Sequence, residues 1–193
     1  ITSGHDEYWT VAQRKALDKA LSKGTNLFIT GGNTLYWRVR LQASSVGPNR
    51  QMAIYKEKSA DPVKNSAETT VRWRHSPKGN PESKISGTVY NNWHDVCNEE
   101  PNDWIVTDPT WWGYNKTGVT AGTRIPGLVG REVDQLMTRF PIPKNTRIVA
   151  HGSYVCGSTG VPVTKLHDAT FITLKSGASI FATGSQMWPC AMN

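Results

Sequence analysis

At 193 residues and 21.4 kDa the chain can form one domain with a substantial core, or a smaller domain carrying a long insertion. Lys and Arg number 22 against 15 Asp and Glu, a net charge of +7, but the basic residues are scattered and no DNA- or RNA-binding signature is present, so no nucleic acid partner is expected. No run of about 18 apolar residues offers a membrane span.

The chain opens with Ile1-Thr2-Ser3-Gly4-His5-Asp6-Glu7-Tyr8-Trp9, a few strand-like residues, a glycine and then a crowd of polar and aromatic groups. One helix follows. Thr10 is placed to cap it, Val11, Ala12, Ala16, Leu17, Ala20 and Leu21 recur at helical spacing, and Gly24 ends it. Leu27-Phe28-Ile29-Thr30 is then a buried strand stopped abruptly by Gly31-Gly32-Asn33, after which Thr34-Leu35-Tyr36-Trp37-Arg38 resumes. The three pieces read as a β-α-β unit whose crossover sets two parallel strands with their ends on one edge. His5, Glu7 and Tyr8 would then face Asn33 and Tyr36 across one crevice. The same glycines also suit a turn required only by backbone geometry, with Tyr36 and Trp37 as packing groups.

Arg38–Gln42, Gln51–Lys56 and Thr69–Arg74 alternate apolar and polar residues as half-exposed antiparallel strands do. From about residue 60 to 108 helical periodicity is lacking and Pro, Asn, Lys and Trp abound, which marks a loop-rich insertion. Within it, Trp93, His94, Asp95, Glu99 and Glu100 form a dense cluster open to a metal reading or to that of a solvated acidic loop. Trp111-Trp112-Gly113-Tyr114 is a stacking surface or core packing. In Gly130-Arg131-Glu132-Val133-Asp134 two carboxylates share a face if the segment is a strand, and one of them is expected inward, where it must be paired or bind a cation. The chain then returns to the sheet in Arg147–His151, Ala169–Leu174 and Ala178–Ser185, the last two joined by a hairpin at Lys175-Ser176-Gly177. Three cysteines, Cys97, Cys156 and Cys190, permit one disulfide and a leftover thiol. With eight tryptophans and an Asn115-Lys116-Thr117 sequon, they favour a secreted or periplasmic setting.

His5-Asp6-Glu7-Tyr8-Trp9, a helix, and then Gly31-Gly32-Asn33-Thr34-Leu35-Tyr36-Trp37-Arg38 together resemble the C-terminal region of the large subunit of N,N-dimethylformamidase and its relatives. Gly127–Asp134 and Phe181–Trp188 resemble that group as well, so the likeness runs along nearly the whole chain. The resemblance implies one α/β domain over 1–193 with a flavodoxin-like core similar to class I glutamine amidotransferases, the 60–108 insertion lying over the crevice. The amidotransferase corner carries a nucleophilic cysteine, whereas Gly31-Gly32-Asn33-Thr34 has none, so cysteine chemistry is not implied. Such a sheet would want strands before Ile1, which suggests a piece of a larger protein whose open edge is filled by an upstream segment or a neighbouring subunit.

The resemblance also implies chemistry: hydrolysis of a small amide substrate at a mononuclear iron held by two tyrosines and a glutamate. By motif, Tyr8 and Tyr36 match the tyrosines. Glu132 is the first choice for the glutamate, with Glu82 as alternative. His5 and Glu7 would move protons beside Asn33, with Glu7 also placed to act behind the metal ligands. The other readings open at this point are a secreted binding module using Trp93, Trp111 and Trp112, and a structural subunit of an extracellular assembly.

Overall fold

The computed structural model describes residues 1–76, 79–91, 101–156 and 162–191. Strand β1, Tyr8–Thr10, runs directly into helix α1, Val11–Ser22. Thr10 caps that helix: its hydroxyl accepts from the Gln13 N–H, and the Gln13 side chain accepts from the Thr10 N–H. Gly24, at φ +90°, takes the left-handed conformation that lets the chain leave the helix for β2, Leu27–Ile29.

Beyond the turn at Gly31–Tyr36, β3 (Trp37–Ser44) and β4 (Gly47–Ala53) form an antiparallel hairpin. Residues 69–74 do not continue that sheet as a strand: Arg72 makes one bridge to Trp37, and Trp73–His75 closes into a 3-10 turn. A single helical turn, α2 (Ser83–Ser86), precedes β5 (Val89–Tyr90), which pairs with β8 (Asp134–Gln135). Strands β6 (Asn102–Val106), β7 (Arg124–Val129), β9 (Thr146–Cys156), β10 (Val163–Thr173) and β11 (Ser179–Ala182) join β2 in a six-stranded sheet of order β2-β11-β10-β9-β6-β7.

This architecture corrects the expectation of a flavodoxin-like, amidotransferase-like α/β fold. The chain is mostly β, in a mixed sheet with little helix. Among the named strands of the described residues, only β1 with β3 and β2 with β11 pair in parallel; every other pairing is antiparallel. The reason lies in the connections. A parallel pair needs a crossover of a dozen or more residues, usually a helix, and α1 is the one described helix of that length. Hairpins such as β3–β4 and β10–β11 force antiparallel neighbours. Nor is there an amidotransferase corner, because the Gly31–Tyr36 turn leads into strand β3 rather than a helix.

The crossover does keep the two opening stretches side by side. Thr2 makes a parallel bridge to Ile29, and Tyr8 lies level with Trp37 in the parallel β1–β3 pair. On the six-stranded sheet, period-two alternation sends Leu27, Ile29, Ile172, Ile180 and Ala182 to the face covered by α1 and α2. The intervening Phe28, Phe171 and Phe181 face Trp111 or Trp188 on the other side. Several residues of the 60–108 stretch are buried, including Val71, Trp73, Ile85, Val89, Tyr90 and Trp104. Asp61 anchors its start: the carboxylate accepts from both terminal nitrogens of Arg40 at 3.2 Å and from the Thr70 N–H and hydroxyl at 2.8 Å.

Candidate active site

Two glycines bring four remote segments together. A Cβ built on Gly31 would stand 2.4 Å from the carbonyl oxygen of Gly4, and one on Gly32 would stand 2.2 Å from that of Glu132. No other residue fits at either contact. The 130–134 segment is held in turn by the chain end. Val133 bridges Ser185, the Asp134 N–H donates to Gly184 O at 2.8 Å, and the Gln186 N–H donates to Glu132 O at 3.1 Å.

Asn33 occupies the centre. It is buried and held at φ +55°, a left-handed conformation that asparagine tolerates better than most residues. Its N–H donates to Asp134 Oδ1 at 2.7 Å. Its side-chain amide reaches Glu7 Oε2 at 3.0 Å and Glu132 Oε1 at 3.1 Å, so one nitrogen ties two carboxylates. Tyr90 donates its hydroxyl to Glu132 Oε1 at 3.3 Å. The side-chain amide of Gln186 donates to Glu132 Oε2 and lies 2.8 Å from His5 Nδ1. That same Nδ1 stands 3.2 Å from Glu132 Oε2. When Nδ1 carries a proton it faces Glu132; when it does not, its lone pair can accept from Gln186. His5 is the most open member of the group.

Burial sets the electrostatics. It raises the Glu132 carboxyl above the usual range, and Glu7 adds to the rise while Asn33 and His5 oppose it. Complete burial pushes Asp134 up to about 8 against the Asn33 N–H that favours its anion. Tyr90 is held well above an ordinary phenol by burial and by Glu132. Tyr8 and Tyr36 are raised by burial too, and Glu7 raises both. Tyr36 differs in its flanks: Arg74 lies 5.1 Å and Arg72 5.5 Å from its ring, and both lower its pKa. Its hydroxyl is buried with no hydrogen-bond partner, as is Asn33 Oδ1.

The structure thus gathers His5, Glu7, Asn33 and Glu132 in one hydrogen-bonded group, with the phenols of Tyr8 and Tyr36 in the field of Glu7. Glu82 is fully buried and paired with Arg74, and its charge also raises Tyr36 and Asp134. Of the two carboxylates in the 130–134 segment, Asp134 is buried outright and Glu132 half-buried. Sequence reasoning passed over Tyr90 and Gln186 as site residues. Gln186 had a signal, since it follows a glycine after a strand as Asn33 does; Tyr90, in Thr88-Val89-Tyr90, had none. His94, Asp95, Glu99 and Glu100, with Trp93, lie outside the described residues, as do Cys97 and the side chain of Cys156; Cys190 is a free, exposed thiol.

A family model for the N,N-dimethylformamidase beta subunit-like, C-terminal region matches residues 1–193. The chain belongs to that family. No curated protein matches it. Membership in the dimethylformamidase-like family points to hydrolase-like chemistry at the level of the family, and among the described residues the group around Asn33 brings His5, Glu7 and Glu132 together. Among the described residues no set of three or more His, Cys, Asp and Glu side chains is spaced to hold a metal ion. No described helix is long and apolar enough to cross a membrane.

Proposed function

We propose that this domain hydrolyses the C–N bond of small amides in the crevice between Glu7, Asn33 and Glu132. The observation that carries the reading is the shared Asn33 nitrogen, which holds two carboxylates together beside a histidine. Like charges so placed cannot both ionise freely, and a carboxylate with a raised pKa is suited to take a proton from water near neutrality. Glu132 receives the proton of the water that adds to the amide carbonyl carbon. His5, open to solvent and against Glu132, passes a proton to the departing amine as the C–N bond breaks, leaving a carboxylic acid. Asn33 and Gln186 fix the Glu132 carboxylate for both transfers, and Tyr90 holds its Oε1.

The donor set suits a hard cation such as ferric iron. Tyr36 offers a buried oxygen with no other partner, Tyr8 lies in the field of Glu7 and Glu132, and these two carboxylates repel one another unless a positive charge or a proton is shared between them. Tyr8, Tyr36 and Glu132 would hold the ion, and in that state Glu7, tied to the same Asn33 nitrogen, would take the water's proton in place of Glu132. When bound, the iron would supply a Lewis acid for the carbonyl and for water.

Incubation with N,N-dimethylformamide, followed by assay of dimethylamine and formate, tests the activity. Equal release of both, lost in Glu132→Gln, is the expected outcome; no release from protein carrying one equivalent of iron by elemental analysis would overturn it. A second reading, a ligand-recognising module, draws on a cavity of about 550 Å³ walled by Phe28, Trp104, Trp111, Trp112, Phe181 and Trp188. Such walls suit flat or CH-rich ligands.

A further inference from the structure

Arg14 lies in the middle of α1, where a charged residue would ordinarily point to solvent, yet its relative exposure is 1%. Its guanidinium lies over the ring of Trp73, 5.4 Å from the centroid, and Nη2 donates to Pro81 O at 3.3 Å. Nε and Nη1 have no hydrogen-bond partner. The carboxylate of Asp18, one turn further on, is 3.9 Å from Nε, and its side chain is half exposed. Trp73, 5% exposed, likewise buries an unpartnered Nε1–H.

These two side chains line one cavity of about 500 Å³ between α1 and the residues Ser66, Ala67, Ser76 and Asn80. Lys15 lies on its exposed side, Ser66, Ser76 and Asn80 add polar lining, and the half-exposed Asp18 carboxylate also lines it, so an anion bound here has to sit on the Trp73 side of Arg14, away from Asp18. Arg38 also borders the cavity, with Nε and Nη2 donating to Ser66 and Thr69. The negative charges acting on Arg14 are Asp18 and, more deeply, Glu82, which is itself engaged by Arg74. A buried cation with idle N–H groups beside a third idle N–H is costly unless an acceptor reaches them, and charge-assisted hydrogen bonds are the strong ones.

We propose that this cavity binds a small oxyanion, a carboxylate or a phosphate, through Arg14 and the indole N–H of Trp73, with Lys15 adding charge at the mouth. The site is separate from the crevice at Asn33 and does not depend on the chemistry assigned there.

Calorimetric titration of inorganic phosphate, and separately of acetate, into the full chain tests it, at an ionic strength held constant with chloride. One-site saturation by either anion is expected. Phosphate alone would mark a phosphoryl ligand, and acetate a carboxylate. Trp73→Phe keeps the ring under Arg14 but removes the donor, and should weaken binding about tenfold. Lys15→Gln should weaken it roughly two- to threefold, more so at low salt. Heats no different from the chloride control for both anions would overturn the proposal, and so would unchanged affinity in a folded Trp73→Phe protein. Arg14→Met removes a buried charge from the packing of α1, so Trp73→Phe is the deciding variant.

Discussion

In the β10–β11 hairpin each residue finds its partner close by in the chain: Thr173 pairs with Ser179 and Phe171 with Phe181 across a turn at Ser176–Gly177. In the crevice, Asn33 meets Glu7 26 positions away, Glu132 99 positions away and Asp134 101 positions away. The hairpin is stabilised by apolar area and needs only alternation. The crevice buries acids and amides, which need a partner for nearly every atom, and those partners come from wherever the fold delivers them. Stability should therefore respond most in the sheet, and chemistry most at Asn33 and Glu132.

The strongest break in that contrast is at Glu132. Glu132→Gln keeps the shape and should lower amide turnover about 10²- to 10⁴-fold, with a thermal midpoint close to that of the parent. If activity and midpoint fell together, the two regions would not be separable. Ile180→Ala is the converse change, opening a void under α1 at a residue 1% exposed. It should cost about 2–5 kcal/mol in denaturant unfolding, while turnover per folded molecule stays unchanged.

The pH dependence of stability adds a second contrast, because the crevice and the loop anchored at Asp61 bury acids whose pKa values are shifted in opposite directions. Asp134 in the crevice is pushed up to about 8 from an ordinary 3.8, so its contribution is complete below about 4 and is lost as pH rises toward 8. Asp61 in the outer loop is held below the usual range by Arg40 and by hydrogen bonds from Thr70 and Val63, which outweigh its desolvation. Its contribution is present above about 4 and lost on acidification. Thermal midpoints measured from pH 4 to 9 should fall less steeply in Asp134→Asn than in the parent, and an unchanged slope would count against the buried, protonated acid. The smallest expected effect is at the cap of α1: Thr10→Ala removes one half of the capping box and should cost about 1 kcal/mol, with the crevice unaffected.

Much of the local structure was legible. The Thr10 cap, the exit of α1 at Gly24, the antiparallel relation of β3 and β4, the β10–β11 hairpin and the side-by-side run of the two opening stretches follow from spacing and turn residues alone, although β4 starts at Gly47, before the expected Gln51. The sheet was misread because the flavodoxin-like core was taken from the family resemblance, whereas the strands after the parallel opening unit are joined mostly by short connections that make neighbours antiparallel. Residues 69–74 were misread because alternation there serves one bridge at Arg72 and then burial of Trp73 in a 3-10 turn. In the site, His5, Glu7 and Asn33 stood beside glycines at strand ends, whereas Tyr90 had nothing around it to mark a partner for Glu132.

By itself the order of residues determined the opening helix with its cap and exit and the apolar faces of β2 and β11, since those depend on neighbours within a few positions. Only the tertiary structure decided that the sheet is mainly antiparallel, that Glu132 and Gln186 arrive at Asn33, and that Arg14 is carried inside with idle donors. Those outcomes depend on close backbone contacts, at Gly31 against Gly4 and at Gly32 against Glu132, between segments whose separation along the chain gives no local sign of meeting.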